Sequence, residues 1–548
     1  MQQVALSQLN LRARLRRHSR NLSGMSLLLW GAGIVMMLLL LLPTAYLLLR
    51  AMGADETAWQ NLLRVRTSMT LVRTVGLASA VTGLAALFAV PLAWLTVRTD
   101  LPGARLWATL APLPLVIPSY VGAYLLASAL GPRGILQGWL EWAFGIERLP
   151  SLYGFPGALL TLTILSYPYL FLSVRATLLR LDPALEEASR SLGHDPWRTF
   201  LRVTLPLLRP ALGSGGLLVA LYTLRDFGAV ALMRFDTFTR VIYVQYQSFD
   251  RAQAALPALV LIAITLIFVV LEGKLQRQAR YVQGETGAVR PPIQLKLGRW
   301  RWPALLFCGT VVFVSLLLPA LMLLYWLFRG FSAGEVAPAL GGAAWNAVLA
   351  SALAALVTVI MAIPVGLLVV RHPGKLTYLL ERLTYSAYAL PGIVIALALV
   401  FLGANHIPWL YQTLPMLVMA YLILFIPQAV GTVRASLLQI HPSLEEAARS
   451  LGRGPMRVFA TVTLPMLRPG LLAGGAMVFL TAMKELPATL LLAPIGFKTL
   501  ATMVWSSVSE AYFAAAAAPA LLIVFMSSIP MTIFILREQS NESNRRTV

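Results

Sequence analysis

The 548-residue sequence has one cysteine, five histidines and half as many acidic as basic residues. A single cysteine excludes a disulfide framework and a thiolate metal site, and Cys308, inside an apolar run, reads as a packing residue. The histidines (His18, His194, His372, His406 and His441) are scattered through the N-terminal arm and the loops, and no H-E-x-x-H or G-x-S-x-G occurs. Chemistry on a substrate is therefore not expected. There is also no G-x-x-x-x-G-K-[ST], so the chain lacks the loop that cradles ATP phosphates, and any ATPase driving it must be another chain. Charge is scarce, at 12% of residues against 58% hydrophobic, which takes the sequence out of the range of soluble domains. Although the net charge is +22, the basic residues lie mostly between apolar runs, as positive-inside bias places them, and nucleic acid is not an expected partner.

What the chain has in abundance is apolar runs of about 20 residues, the length a helix needs to cross the hydrocarbon of a bilayer. They read as two sets. The first comprises Ser26 to Leu49, Met69 to Val97, Leu106 to Leu130, Gly157 to Leu179, Leu212 to Leu232 and Ala254 to Leu271. The second comprises Pro303 to Phe328, Ala344 to Val370, Tyr385 to Gly403, Leu414 to Val433, Leu471 to Leu492 and Ala514 to Leu536. The basic arm with Arg12, Arg14, Arg16, Arg17 and Arg20 resembles the start of a signal peptide. The run after it is too long for an h-region and no small-residue cleavage site follows, so an uncleaved first span is expected. The fold class is thus all-α and polytopic, with about twelve transmembrane helices as two six-helix repeats. The expected domains are 1–25, a basic cytoplasmic arm; 26–272, the first transmembrane domain with a polar loop at 182–210; 273–302, a cytoplasmic linker containing Pro291 and Pro292; 303–536, the second domain with a polar loop at 441–469; and 537–548, a cytoplasmic tail. With the N-terminus inside, most of the 44 Lys and Arg fall on the cytoplasmic side, so both termini are expected there. An even number of spans per half makes the repeat parallel, with a pseudo-two-fold axis along the membrane normal and the translocation path on it.

The repeat is explicit in VRATLLRLDPALEEASRSLG (Val174 to Gly193), which aligns without gaps to VRASLLQIHPSLEEAARSLG (Val433 to Gly452). Upstream the register shifts, pairing Pro91 with Pro364 and Pro118 with Pro391, so an outside loop is longer in the first half, around Leu130 to Pro156. After the fourth span of each half stand Glu187-Ala188-Ser189 with Gly193 and Val203-x-Leu205-Pro206, and Glu446-Ala447-Ala448 with Gly452 and Val462-x-Leu464-Pro465. These segments resemble the EAA loop of ABC importer permeases, departing only by Val for Ile and, in the first copy, Ser for Ala. The residues themselves predict a short helix in each copy, started at Asp182-Pro183 or His441-Pro442 and ended by the glycine, after which the chain leaves at a sharp angle. The resemblance implies that this knob docks into a cleft on an ATP-binding subunit, with Glu187, Ala188, Arg190 and Gly193, and Glu446, Ala447, Arg449 and Gly452, as coupling residues. A solvated interfacial helix is the alternative for one copy, and two copies in the same context weigh against it.

The fusion of two halves in one chain, LRDFGAVALMRFDTFTRVIY (Leu224 to Tyr243) and KELPATLLLAPIGFKTLATMVW (Lys484 to Trp505) resemble the ferric iron permeases of the Fbp/Sfu/Hit type. The resemblance implies the type I importer fold in a bacterial inner membrane and ferric iron delivered by a periplasmic or surface-tethered substrate-binding protein. It further implies two copies of an ATP-binding subunit that carry ATP and Mg, with no cofactor on this chain. Import of thiamine or another small ligand by the same machinery is the alternative cargo, and a secondary transporter of the major facilitator type the alternative class. The repeat sets Arg225-Asp226 opposite Lys484-Glu485 near the outer ends of the fifth spans, where ionisable residues usually face a cavity. They are candidate path residues, with Asp226 and Glu485 as transient oxygen ligands for a hard cation. The other reading of these pairs is acid and base fixing helix packing or sitting in interfacial water. Tyr120, Tyr124 and Tyr388 could supply further oxygens, although such tyrosines are more often interfacial or packing aromatics.

Overall fold

A computed structural model describes residues 24–529, except 55, 57–58, 61–63, 133, 146, 248–250, 283–293 and 335–339. The basic arm, Pro291 and Pro292, the end of the last apolar run and the tail lie outside the described residues. Among the described residues, nine helices are long and apolar enough to cross a membrane. A tenth span results if Ala104–Val116 and Ser119–Phe144, bent by 100°, count as one, and the shorter Gly392–His406 and Phe513–Ile529 fill the two remaining runs. The bend falls at Pro118, whose missing N–H and extended backbone (φ −62°, ψ 147°) interrupt the helix. Every apolar run thus carries helix, and the longer loop of the first half, around Leu130 to Pro156, contains its own helix, Ile135–Phe144.

Two runs are not single helices as the sequence reading had them. Leu212 to Leu232 breaks where helix Leu205–Arg225 ends, and Leu471 to Leu492 breaks where Leu464–Met483 ends. The cause is the charged dipeptide in each. Asp226 is extended and its Oδ1 accepts the amides of Ala229 (2.9 Å) and Val230 (3.4 Å), starting the short helix Gly228–Leu232. Glu485 Oε1 accepts the Ala488 amide at 3.3 Å beside helix Pro487–Leu492. A carboxylate that satisfies the free donors of a new helix ends the old one. The sixth helix, Arg251–Val282, runs on into the stretch read as linker.

The chain forms two compact units that cut across the sequence halves. One contains residues up to Leu42, Ala352–Ala387 and Tyr421–Phe479, and holds the second coupling segment. Small residues let its helices approach closely: a Cβ on Gly33 would lie 2.7 Å from Leu368 Cδ1, and one on Gly366 2.7 Å from Val433 Cγ1. The other unit contains Pro43–Ser351, Tyr388–Ala420 and the chain from Leu480, and holds the first coupling segment and both charged dipeptides. In its interior the Tyr167 hydroxyl donates to the Ala111 carbonyl at 2.9 Å, and Phe227, Tyr243 and Trp505 form an aromatic cluster.

Candidate functional site

The two coupling helices, Pro183–Ser191 and Pro442–Ser450, begin and end by local chemistry. Asp182 accepts the Ala184 amide at 3.0 Å and His441 Nδ1 the Ser443 amide at 3.3 Å, each followed by a proline at the first helical position. At the far end Gly193 (φ 84°) and Gly452 (φ 80°) take the left-handed conformation. Their amides donate to Arg190 O (2.9 Å) and Arg449 O (3.0 Å), and the next amides, of His194 and Arg453, donate to Ser189 O and Ala448 O. Nothing lies within 4 Å of a Cβ built on either glycine, so the requirement is backbone conformation alone.

The outward faces are Glu187 and Ala188 in the first helix and Glu446, Ala447 and Arg449 in the second; Arg190 is half-buried. Leu185 and Leu192, like Leu444 and Leu451 at the matching positions, are exposed. The inward face of the first helix is polar, with Glu186 and Ser189 buried and the Ser189 hydroxyl 3.1 Å from that of Thr199. Each helix thus hides a carboxylate and shows leucine, an apolar exposure of the kind found at protein or membrane contact surfaces.

Sequence reasoning missed Glu186 and Glu445. Arg98, the last residue of the second span, lies 3.5 Å by Nε from Glu186 Oε1, and its Nη2 donates to the Leu181 carbonyl at 3.3 Å. The Thr204 hydroxyl donates to the same carboxylate oxygen at 2.9 Å. The second half repeats the arrangement: Arg371 Nη2 is 3.1 Å from Glu445 Oε1 and 3.0 Å from the Ile440 carbonyl, and Thr463 donates to Glu445 Oε1 at 3.2 Å. Thr204 and Thr463 are the last residues of π-helical turns, Phe200–Thr204 and Phe459–Thr463. The signal was present in the sequence, since Arg98 matches Arg371 in the upstream register and Glu186 and Thr204 match Glu445 and Thr463 in the downstream one. The junctions differ in cover. Side chains of Arg98 and Glu186 are 1% and 5% exposed, those of Arg371 and Glu445 17% and 11%. Beside the first, the linker returns as an isolated parallel bridge, Thr99 with Leu295, in which the Leu295 amide donates to Arg98 O at 2.8 Å. Beside the second, Arg449 Nη2 reaches Glu445 Oε2 at 3.5 Å.

The structure brings Arg225, Asp226 and Glu485 of the charged dipeptides together, while the Lys484 side chain turns to a backbone carbonyl. Arg225 interacts electrostatically with Glu485, Tyr388 and Tyr169, and Asp226 lies in the field of Glu485. Asp226 also accepts from the Ser119 hydroxyl, while Lys484 Nζ donates to the Leu115 carbonyl at 2.7 Å. Among the described residues no ion pair within 4 Å joins either base to its neighbouring acid. Ser119 corresponds in the repeat to Gly392, where an added Cβ would lie 2.5 Å from Glu485 Oε1. Tyr388 belongs to the cluster; Tyr124 stacks instead on Phe513, centroids 5.9 Å apart. Tyr169 and Tyr222, which pack on each other at 5.6 Å, were not singled out from sequence, where aromatics in spans carry no distinguishing signal. Among the described residues no group of three or more His, Cys, Asp or Glu side chains is placed to hold a metal ion.

The sequence matches the family described as "Binding-protein-dependent transport system inner membrane component" over residues 89–281 and again over 360–537. It is 38% identical over 507 residues to the Fe(3+)-transport system permease protein FbpB 2 of Haemophilus influenzae, covering 91% of this chain and 96% of that one. It is 27% identical over 488 residues to the ferric transport system permease protein FbpB of Actinobacillus pleuropneumoniae, covering 85% and 70%. Similarity extends to a protein of half the length, the sulfate transport system permease protein CysT of Escherichia coli, at 31% identity over 276 residues, 48% of this chain and 97% of that one.

Proposed function

The chain belongs to the binding-protein-dependent transport system inner membrane components, as two fused copies of that unit, and from this premise we propose that it imports ferric iron, driven by an ATP-binding partner at its coupling helices. It is a multi-pass permease subunit. The cargo reading is supported by the 38% identity, along nearly the whole of both chains, to a relative named for Fe(3+) transport. The ferric ion is delivered by a substrate-binding protein, and ATP and Mg act on two copies of the ATP-binding subunit, one per coupling helix, both termini facing the same cytoplasmic side. The family assignment and the paired coupling segments set aside a secondary carrier of the major facilitator type.

Glu187, Ala188, Arg190 and Leu192, and Glu446, Ala447, Arg449 and Leu451, form the docking knobs, with Gly193 and Gly452 setting their exit angle. Exposed leucines flanking exposed carboxylates supply apolar contact and charge selectivity together. Arg225, Asp226, Lys484 and Glu485 line the path. Two acids among two bases hold a trivalent cation weakly, which suits passage.

The deciding experiment is uptake of labelled ferric iron and, in parallel, labelled thiamine into cells that carry the ATP-binding subunit and binding protein, with and without this permease. Permease-dependent iron uptake that stops when the ATPase is disabled supports the reading; thiamine uptake instead keeps the mechanism and replaces the cargo. For the knobs, Glu187→Ala with Glu446→Ala should reduce copurification of the ATP-binding subunit while the permease still inserts. Undiminished copurification and uptake would remove those residues from the interface.

A further inference from the structure

A coupling helix of nine residues must hand its displacement to the spans. The backbone connects each only to the fourth span before it and the fifth after it. Each junction adds a tie to a third span, the second, because Arg98 and Arg371 are the last residues of theirs. The tie is not apolar packing, which lets helices slide. It is a charge-assisted contact to a carboxylate, a bond to the carbonyl just before the coupling helix, and a hydroxyl bond from the π-turn just after it. Such bonds are directional and hold a fixed geometry. We propose that these two junctions are the joints through which coupling-helix movement reaches the second spans, with Arg98, Glu186 and Thr204, and Arg371, Glu445 and Thr463, as positioning residues, and that the first joint is the stiffer of the two.

The asymmetry follows from the surroundings. The first joint is almost wholly enclosed and carries the Thr99–Leu295 bridge on the residue next to Arg98. The second is more open, and its carboxylate is shared with Arg449 on the partner-facing side, which links the docking surface to the joint by a side chain as well as by the backbone. A rigid joint and a responsive one sit in the two halves of one chain.

This inference rests on the coupling reading and is tested in the complete transporter, permease with its ATP-binding subunit and binding protein, reconstituted in vesicles. The readouts are yield of assembled complex, ATP hydrolysed, labelled ferric iron imported, and dependence of hydrolysis on the iron-loaded binding protein. Glu186→Gln and Glu445→Gln remove the charge and keep the shape. In assembled complexes the ATP hydrolysed per iron imported is expected to rise about fivefold or more, and hydrolysis to lose its dependence on the binding protein, with the larger effect at Glu186. The double variant Arg371→Gln with Glu445→Gln should cost less than the sum of the two single variants, since both remove the Arg371–Glu445 contact they share. Glu445→Asp should recover part of the coupling. Thr204→Val and Thr463→Val delete one hydrogen bond each and serve where a Gln variant fails to assemble, with a smaller rise in the same ratio expected. A wild-type ratio in assembled complexes of these variants, or import that falls only in step with assembly, overturns the proposal. Undiminished copurification of the ATP-binding subunit with Glu187→Ala and Glu446→Ala means the coupling reading itself has failed. Loss of copurification there, with a wild-type ratio at the junction variants, means only the joints have.

Discussion

At the scale of single residues, the position of Glu485 is held by an absence. Gly392 leaves open the space that a methyl would contest at 2.5 Å from Glu485 Oε1. Gly392→Ala therefore displaces the carboxylate from Arg225, and iron uptake should fall about tenfold or more while copurification with the ATP-binding subunit persists, since a misplacement of about 1 Å at a site can cost that much. Gly76→Ala, where nothing stands within 4 Å, is the matched control and should transport normally. Equal uptake by the two variants would remove Glu485 from the path. The four charged residues were legible from the repeat because charge inside an apolar run is conspicuous. Their partners were not: Ser119 and Tyr169 are ordinary residues in apolar helices that only tertiary packing brings to Arg225 and Asp226, and Tyr222, one turn before Asp226 in the chain, stands out no more than any other aromatic in a span. Nor did the sequence disclose that each acid also starts a short helix, which gives it a structural task alongside any part in the path.

For the elements, the coupling helices depend on a left-handed terminus that L side chains adopt at a cost of about 1–2 kcal/mol, asparagine least reluctantly. With open space around both positions, the order of retained ATPase copurification at Gly193 and at Gly452 should be Gly, then Asn, then Ala, then Val. An Ala variant indistinguishable from wild type would show that the exit angle does not depend on that conformation. The bounds of these helices could be read from sequence since caps, proline and glycine act within a few residues. The inward face could not, because hydrophobic patterning assigns leucine to the interior and carboxylate to solvent, and here Arg98 and Arg371 reverse both. The broken fifth segments escaped for a related reason: a hydropathy window averages across Arg225-Asp226 and Lys484-Glu485, whereas a helix ends at one residue.

Over the whole molecule, the two-half organisation was visible in the repeated segments, but the compact units are assembled otherwise, with residues 24–42 grouped with spans of the second half and residues 480–529 with spans of the first. Glycines such as Gly33 and Gly366 advertise close approach without saying to which helix. Orientation is open to direct measurement, because the one cysteine, Cys308, is fully buried and gives a quiet background for thiol labelling. Ser151→Cys, in the longer outside loop, should react with a membrane-impermeant maleimide in intact spheroplasts, and Ser540→Cys only after permeabilisation; the reverse pattern would invert the topology. The Thr99–Leu295 bridge bears on how such a protein can be made. Leu295 lies beyond residues 283–293 and Thr99 before them, so a chain opened there would leave the two strands on different polypeptides. What is now an internal pairing would become a contact between subunits, small but specific in register, giving separately synthesised halves a place at which to recognise each other.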